Sequence, residues 1–157
     1  MVGRSVAEQN AVFLPWGDGT TVIPLVSAED VSRVAATLLA QRSQPSDSVY
    51  ALITETPTVN EIVDRLESAL GRRIRYVQVS DEQWADAVQG WVNPHALDHL
   101  SHLWQYFRKG EDKFQATDAI RLITSSNPLT LDLFFRANAE AMGGTHNDGQ
   151  ASKAPAA

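Results

Sequence analysis

Three of the chain's four histidines stand close enough in sequence to act together, in the stretch Pro94-His95-Ala-Leu-Asp98-His99-Leu-Ser-His102-Leu-Trp104-Gln-Tyr106-Phe107. At about 100° per residue, His95, His99, His102 and Tyr106 fall on one narrow helical stripe beside an apolar face of Leu97, Leu100, Leu103, Trp104 and Phe107. Histidines at i and i+4 can share a metal. No glutamate follows the first of them as in a zincin, however, and no carboxylate or thiol cluster completes a shell, so no metal is expected. As a pocket wall, the stripe would let a histidine exchange a proton with substrate near neutral pH and let Tyr106 donate a hydrogen bond. The default for such a stripe is plainer: histidines that cap, pack and hydrogen-bond between helices.

Other residues carry weaker signals. Glu55 follows the apolar run Ser48 to Thr54, at the carboxyl end where open α/β sheets bind ligands, and is a candidate acid or base or else a solvated loop carboxylate. Trp84, Trp91 and Trp104 cluster in sequence, and such rings line concave apolar sites or fill cores; Trp91 joins Glu55 and the stripe as a pocket candidate. Asp30 is expected to support the start of its helix electrostatically. Gly17-Asp-Gly19 begins like a phosphate loop, but the third glycine is missing and the segment precedes a strand instead of opening a helix. It is read as a turn between the extended segments Val12 to Trp16 and Thr21 to Ser27. No complete dinucleotide fingerprint, Walker loop or Tyr-x-x-x-Lys pair is present, so no cofactor-binding residue is assigned.

Composition narrows the partners. Thirteen Lys and Arg against nineteen Asp and Glu leave a net charge of −6, which repels a nucleic-acid backbone. With no cysteine there is no disulfide, thiolate metal site or thiol nucleophile. The start lacks the apolar core of a signal peptide and no apolar run approaches the ~20 residues of a membrane span, so a soluble cytoplasmic protein is expected.

The elements that must position these residues alternate. Thr21 to Ser27 reads as a strand feeding a helix through Ser27-Ala-Glu-Asp30, and Ser48 to Thr54 as a buried parallel strand beyond a polar break at Gln41 to Asp47. Thr58-Val-Asn-Glu61 has capping-box form, and Val59, Ile62, Val63, Leu66 and Leu70 make a helical stripe ended by Gly71. Ile74 to Ser80 reads as an edge strand, and a second box, Ser80-Asp-Glu-Gln83, opens a helix through Trp84 and Val88. This β-α-β-α-β-α order predicts an α/β fold: a partial, mostly parallel sheet of about three strands with crossover helices. Helices over Pro94–Arg108, Asp118–Thr124 and Leu129–Met142 add a C-terminal helical cap. The expected domain covers 1–142; the small, polar tail 143–157, with His146, is expected to be disordered.

In order along the chain, Leu25-Val-Ser-Ala-Glu-Asp-Val-Ser-Arg-Val-Ala, Tyr50-Ala-Leu-Ile-Thr, Thr58-Val-Asn-Glu-Ile, Ala69-Leu-Gly-Arg, Ile74-Arg-Tyr-Val, Asn93-Pro-His-Ala-Leu-Asp-His-Leu and Asn127-Pro-Leu-Thr-Leu resemble the C-terminal half of NmrA-like proteins. These are atypical short-chain dehydrogenase/reductase relatives, and Gly17 through Ala35 also looks like festuclavine-type and other secondary-metabolite reductases. The resemblance implies an incomplete Rossmann-type fold, the substrate side of an NAD(P)-dependent oxidoreductase whose N-terminal nucleotide half is absent here. Where the family has a glycine after the segment matching Tyr50 to Thr54, this chain has Glu55. Where it has another before Asn127-Pro128, this chain has Ser125 and Ser126, which implies a remodelled pocket mouth.

Three functions follow as expectations. The first is a truncated, substrate-side subunit that binds no cofactor alone and uses NADP or NAD only when completed by a Rossmann-containing partner chain, acting on a small-molecule substrate in secondary metabolism. The second is a non-catalytic NmrA-like regulatory or interaction protein. The third is a small cofactor-free cyclase or isomerase using His95, His99, His102 and Tyr106.

Overall fold

The computed structural model describes residues 2–40, 49–110 and 113–144. In chain order its elements are α1 (Val2–Gln9), β1 (Ala11–Leu14), α2 (Ala28–Ala40), α3 (Val59–Leu70), β2 (Arg75–Gln78), α4 (Asp81–Val88), α5 (Pro94–Lys109), α6 (Ala119–Thr124) and α7 (Leu131–Ala137), closed by a 3-10 turn at Glu140–Met142. Among these residues no helix is long and apolar enough to cross a membrane.

Local chemistry explains most helix ends. In α3 the Thr58 hydroxyl accepts from the Glu61 N–H at 3.3 Å while the Glu61 carboxylate accepts from the Thr58 N–H at 2.7 Å, so two otherwise unpaired helix-start donors are satisfied. Gly71 stops the helix in the left-handed region at φ 66°, where a side chain is disfavoured. Ser80 and Gln83 repeat the reciprocal cap at α4, and α5 opens on an Asn93 cap with Pro94 in its first turn.

β1 and β2 form a two-stranded parallel sheet with Ala11 opposite Arg75 and Leu14 opposite Gln78, and the connection between them carries α2 and α3. The fold is α/β, with a partial parallel sheet and helices both between and beyond its strands. The core gathers Val6, Val12 and Leu14 with Ile62, Leu66 and Leu70 of α3, Ile74, Trp84, Phe107 and Phe135. α3 packs on α7, and α2 on α6 through buried Val34 and Ile120.

Several expectations are corrected. Thr21 to Ser27 is not a strand of a parallel sheet; it lies antiparallel to 54–59 through isolated bridges at Val22/Thr58 and Leu25/Glu55. Ile23 donates to Pro57 O and Leu25 to Glu55 O, both at 2.9 Å, but Pro57 has no N–H to return to Ile23, so the ladder is interrupted between the two bridges. The described part of Ser48 to Thr54 is extended yet joins no strand, and Val49 is 95% exposed. Its apolar residues read as a strand covered on both faces, but Val49, Tyr50 and Ala51 are exposed and none of its described residues is fully buried. The sheet therefore has two strands here, not three, and its first member is Ala11–Leu14, overlapping the stretch Val12 to Trp16 read only as an extended flank of the glycine turn.

Helix α1 was not anticipated, because only Val6 anchors it in the core and an Arg4–Glu8 hydrogen bond at 2.8 Å supports its outer face. The last helix begins at Leu131 after the Thr130 cap and breaks at Asn138, instead of running from Leu129 to Met142. The polar break at Gln41 to Asp47 and the tail from 145 onward, with His146, lie outside the described residues.

Thr58→Ala removes one half of the α3 cap and leaves a helix-start donor unpaired. We expect a loss of about 1 kcal/mol in urea unfolding, with the denaturant slope unchanged.

Candidate functional site

Ser27, the residue before α2, caps that helix: its hydroxyl accepts from the Asp30 N–H at 2.9 Å. The Asp30 side chain is fully buried, and one of its oxygens accepts from the Leu129 N–H at 2.8 Å, across 99 residues of sequence. The other pairs with Arg33, whose guanidinium also donates to the Asn127 carbonyl at 3.1 Å. Burial pushes the Asp30 carboxyl up, but the bonds from Arg33, Leu129 and Ser27 outweigh it and hold the group below the ordinary carboxylate range.

Glu55 repeats the device two residues further along the same segment. Its Oε1 accepts from the Leu131 N–H at 2.6 Å and its Oε2 pairs with Arg65 of α3, and that hydrogen bond raises the Arg65 pKa. Two carboxylates thus grip the N–H groups of Leu129 and Leu131 and fix the strap that leads into α7. Between the strap, the start of α2 and the 54–55 corner lies a cavity of about 490 Å³. Its walls come from Leu25 to Glu29, Thr54 and Glu55, and Leu129 to Leu131 with Phe134, Ala137 and Asn138. Three of the segments that carry the family resemblance, far apart in sequence, meet in this cavity.

The sequence candidates divide. Glu55 is in the cavity wall, but both of its oxygens are engaged, so as placed it positions the strap. His95, His99 and His102 are exposed on α5, with Tyr106 42% and Trp91 81% exposed, and none of them lines the cavity. The opposite face of α5 packs inward as its apolar pattern predicts, with Leu97, Leu100, Leu103 and Trp104 against the core. His102 Nδ1 lies 2.8 Å from the Asp98 carbonyl oxygen, an ordinary intrahelical contact. Among the described residues no group of three or more His, Asp or Glu is arranged to hold a metal. Trp84 and Trp104 do meet, edge to face at 6.0 Å, while Trp91 stands apart from that core cluster in solvent.

Sequence reasoning missed Thr54, Arg33 and Arg65 as parts of a site. It gave Asp30 a local role, where the structure gives it a long-range one. Of these, only the Ser27-x-x-Asp30 spacing carried a local signal.

At Gly17 the turn is real: φ is +88°, and a Cβ there would stand 2.5 Å from Thr21 Oγ1. Asp18 then accepts from the Thr20 N–H at 2.8 Å, an Asx turn with no helix behind it.

No family model matches the sequence. A festuclavine dehydrogenase of Aspergillus fumigatus is 30% identical over 81 residues, which cover 51% of this chain and 27% of that protein. An NAD(P)H azoreductase of Xenophilus azovorans is 25% identical over 145 residues, 91% of this chain and 49% of that protein. Among solved structures, an NADPH-dependent quinone oxidoreductase from Escherichia coli superposes with a TM-score of 0.69 at 19% identity, over 86% of this chain and 48% of that one. A Citrobacter triphenylmethane reductase complexed with NADP(H) gives 0.66 at 20% identity, over 87% and 46%. The chain thus has the fold of part of an NAD(P)H-dependent reductase and is similar in sequence to such enzymes. It spans half or less of the length of the curated relatives it matches.

The β2–α4 turn does not fit the pyrophosphate of a dinucleotide. Of the two strands of the parallel sheet, only β2 runs directly into a helix, at Val79-Ser80, and that turn has no glycine. The Ser80 and Gln83 side chains already take two of its N–H donors, and Asp81 and Glu82 in the first helical turn would repel a pyrophosphate.

Two measurements follow from the strap. Asp30→Ala leaves the Leu129 N–H without its acceptor and should cost about 2–3 kcal/mol in chemical unfolding. Because the native Asp30 pKa is depressed, the wild-type contribution is complete above the ordinary aspartate value of about 4 and is lost as pH falls through the lower native value. The variant's stability should fall less steeply in that acid window. Ser125, at one of the positions where the resembled family has glycine, adopts φ +55°. Ser125→Gly should therefore raise the melting temperature, by up to about 1 kcal/mol of stability.

Proposed function

We propose that residues 1–142 form the substrate-side half of an NmrA-like NAD(P)-dependent oxidoreductase, whose nicotinamide cofactor is held by a separate Rossmann-containing partner chain. The observation that carries this reading is the convergence of three family-like segments on one apolar cavity, in a chain whose fold matches slightly under half of two such reductases. The poor fit of the β2–α4 turn to a pyrophosphate supports assigning the cofactor to the partner.

The substrate class is taken from the same likeness. The similar proteins are named for quinones, azo compounds and triphenylmethane dyes, all conjugated and largely apolar, and the cavity walls here are mostly aliphatic or aromatic. We infer a cytoplasmic, biosynthetic role on a secondary metabolite of that chemistry. In the assembled enzyme Glu55 lies in the cavity wall. Trp91, His95, His99, His102 and Tyr106, open to solvent in the single chain and outside this cavity, are assigned to the surface that the partner covers. The half described here supplies enclosure and orientation, which are the protein's contributions in a cofactor enzyme.

The test is calorimetric titration with NADPH and NADH of the purified chain, alone and mixed with any neighbouring-gene product that carries a G-x-G-x-x-G fingerprint. No binding by the lone chain, micromolar binding by the mixture, and, with a quinone added as the hydride acceptor, NADPH oxidation by the mixture but not by the lone chain are expected. Micromolar binding by the lone chain would overturn the assignment of the cofactor to a partner.

A further inference from the structure

The cavity wall contains several polar side chains, and nearly all are committed. Ser27 caps α2, Glu55 is held by Leu131 and Arg65, and Thr130 accepts from the Leu133 N–H. Asn138 donates to the Phe134 carbonyl at 2.8 Å, and Glu29 lies exposed at the mouth. Thr54 differs: its Oγ1 is buried with no hydrogen-bond partner, the only such atom in this wall among the described residues. A buried hydroxyl without a partner is costly, and a native protein that retains one calls for an explanation.

We propose that Thr54 is the polar anchor of this cavity: its hydroxyl bonds the one carbonyl or hydroxyl oxygen presented to it by a neutral, otherwise apolar ring ligand. This deepens the substrate-side reading and rests on the same cavity. As placed, the Oγ1 is closed off from the open space of the cavity, and the hydroxyl reaches the ligand by one χ1 rotation between staggered wells. Charge on the page selects against an anion, since Glu29 stands at the mouth and the chain carries −6 overall. The start of α2 opens on the same space through Ser27 and Ala28, where Glu29 and Asp30 in the first turn offset the positive end of the helix. The volume of about 490 Å³ suits a ligand of two or three rings. A site that hydrogen-bonds one oxygen also discriminates against an analogue lacking it, because the site's own group is then left unpaired.

The experiment compares menadione, a two-ring quinone, with methylnaphthalene, its oxygen-free counterpart, in NMR titrations of the full chain. No partner chain or nicotinamide cofactor is added. Wild type should bind menadione about tenfold more tightly, equivalent to ~1.4 kcal/mol. Thr54→Val should erase that preference, weakening menadione binding about tenfold with methylnaphthalene unchanged, while Thr54→Ser keeps it. Thr54→Val should melt at or above wild type, since it removes an unpaired hydroxyl, whereas a purely structural hydroxyl would make it melt lower. Ala137→Phe, which fills the cavity, should abolish binding of both probes. The proposal is overturned if wild type binds neither probe, if Thr54→Val keeps the preference, or if that variant is clearly destabilised. An anchor that passes this test while no mixture ever binds NADPH would leave the ligand site standing and remove the oxidoreductase reading, so the two failures are distinguishable.

Discussion

Two carboxylates hold two backbone amides, and the cavity exists because of it. Asp30 and Glu55 take the N–H groups of Leu129 and Leu131, alternate residues on one edge of an extended strap. An extended chain presents its N–H groups to the same side every second residue, so one pair of acceptors sets the position, the rotation and the depth of the strap together. With the strap fixed, Thr130 can cap α7, Phe135 can reach the core, and the space between α2 and α7 stays open instead of collapsing.

Each carboxylate has its own cation, and the two pairs sit in different settings. Arg33 and Asp30 share a helix three residues apart, and Arg33 also takes the Asn127 carbonyl, so one local pair secures both sides of the Pro128 corner. Glu55 draws its partner from α3, which ties the strap to the best-capped helix of the chain. A third pair, this one bidentate, joins Arg108 to Asp81 at 2.9 and 2.7 Å and links the end of α5 to the start of α4, and Arg108 also donates to the Pro15 carbonyl beside the glycine turn. These pairs are partly buried and hydrogen-bonded, the arrangement in which ion pairs fix geometry more than they add stability.

The fold was legible in the sequence wherever the deciding contacts are local. The two reciprocal caps at Thr58/Glu61 and Ser80/Gln83, the Gly71 stop and the Asn93-Pro94 start all stand where the pattern puts them. The strands were less legible: a strand is defined by its partner, and the patterns of Thr21–Ser27 and Ser48–Thr54 carry no information about which segment lies beside them. Pro57 stands in plain view, yet its effect is visible only once 21–25 and 54–59 are known to face each other. The site was less legible still, since Glu55 was found by position and Thr54, the one unpaired hydroxyl in the wall, sits unmarked at the end of an apolar run.

The residues alone determined an α/β chain with capped helices α2 to α4, a turn at Gly17 to Gly19 that opens no helix and so makes no phosphate loop, and an α5 with one apolar and one histidine-bearing face. Each of these rests on neighbours within about four residues, where backbone geometry couples side chain to main chain directly. Only the tertiary structure decided that the parallel pair is β1 with β2, that the histidine face looks outward, and that Asp30 serves a residue 99 positions away and Glu55 one 76 positions away. Contacts of that separation depend on how the whole core packs, and a buried carboxylate takes whichever donors the packing brings to it.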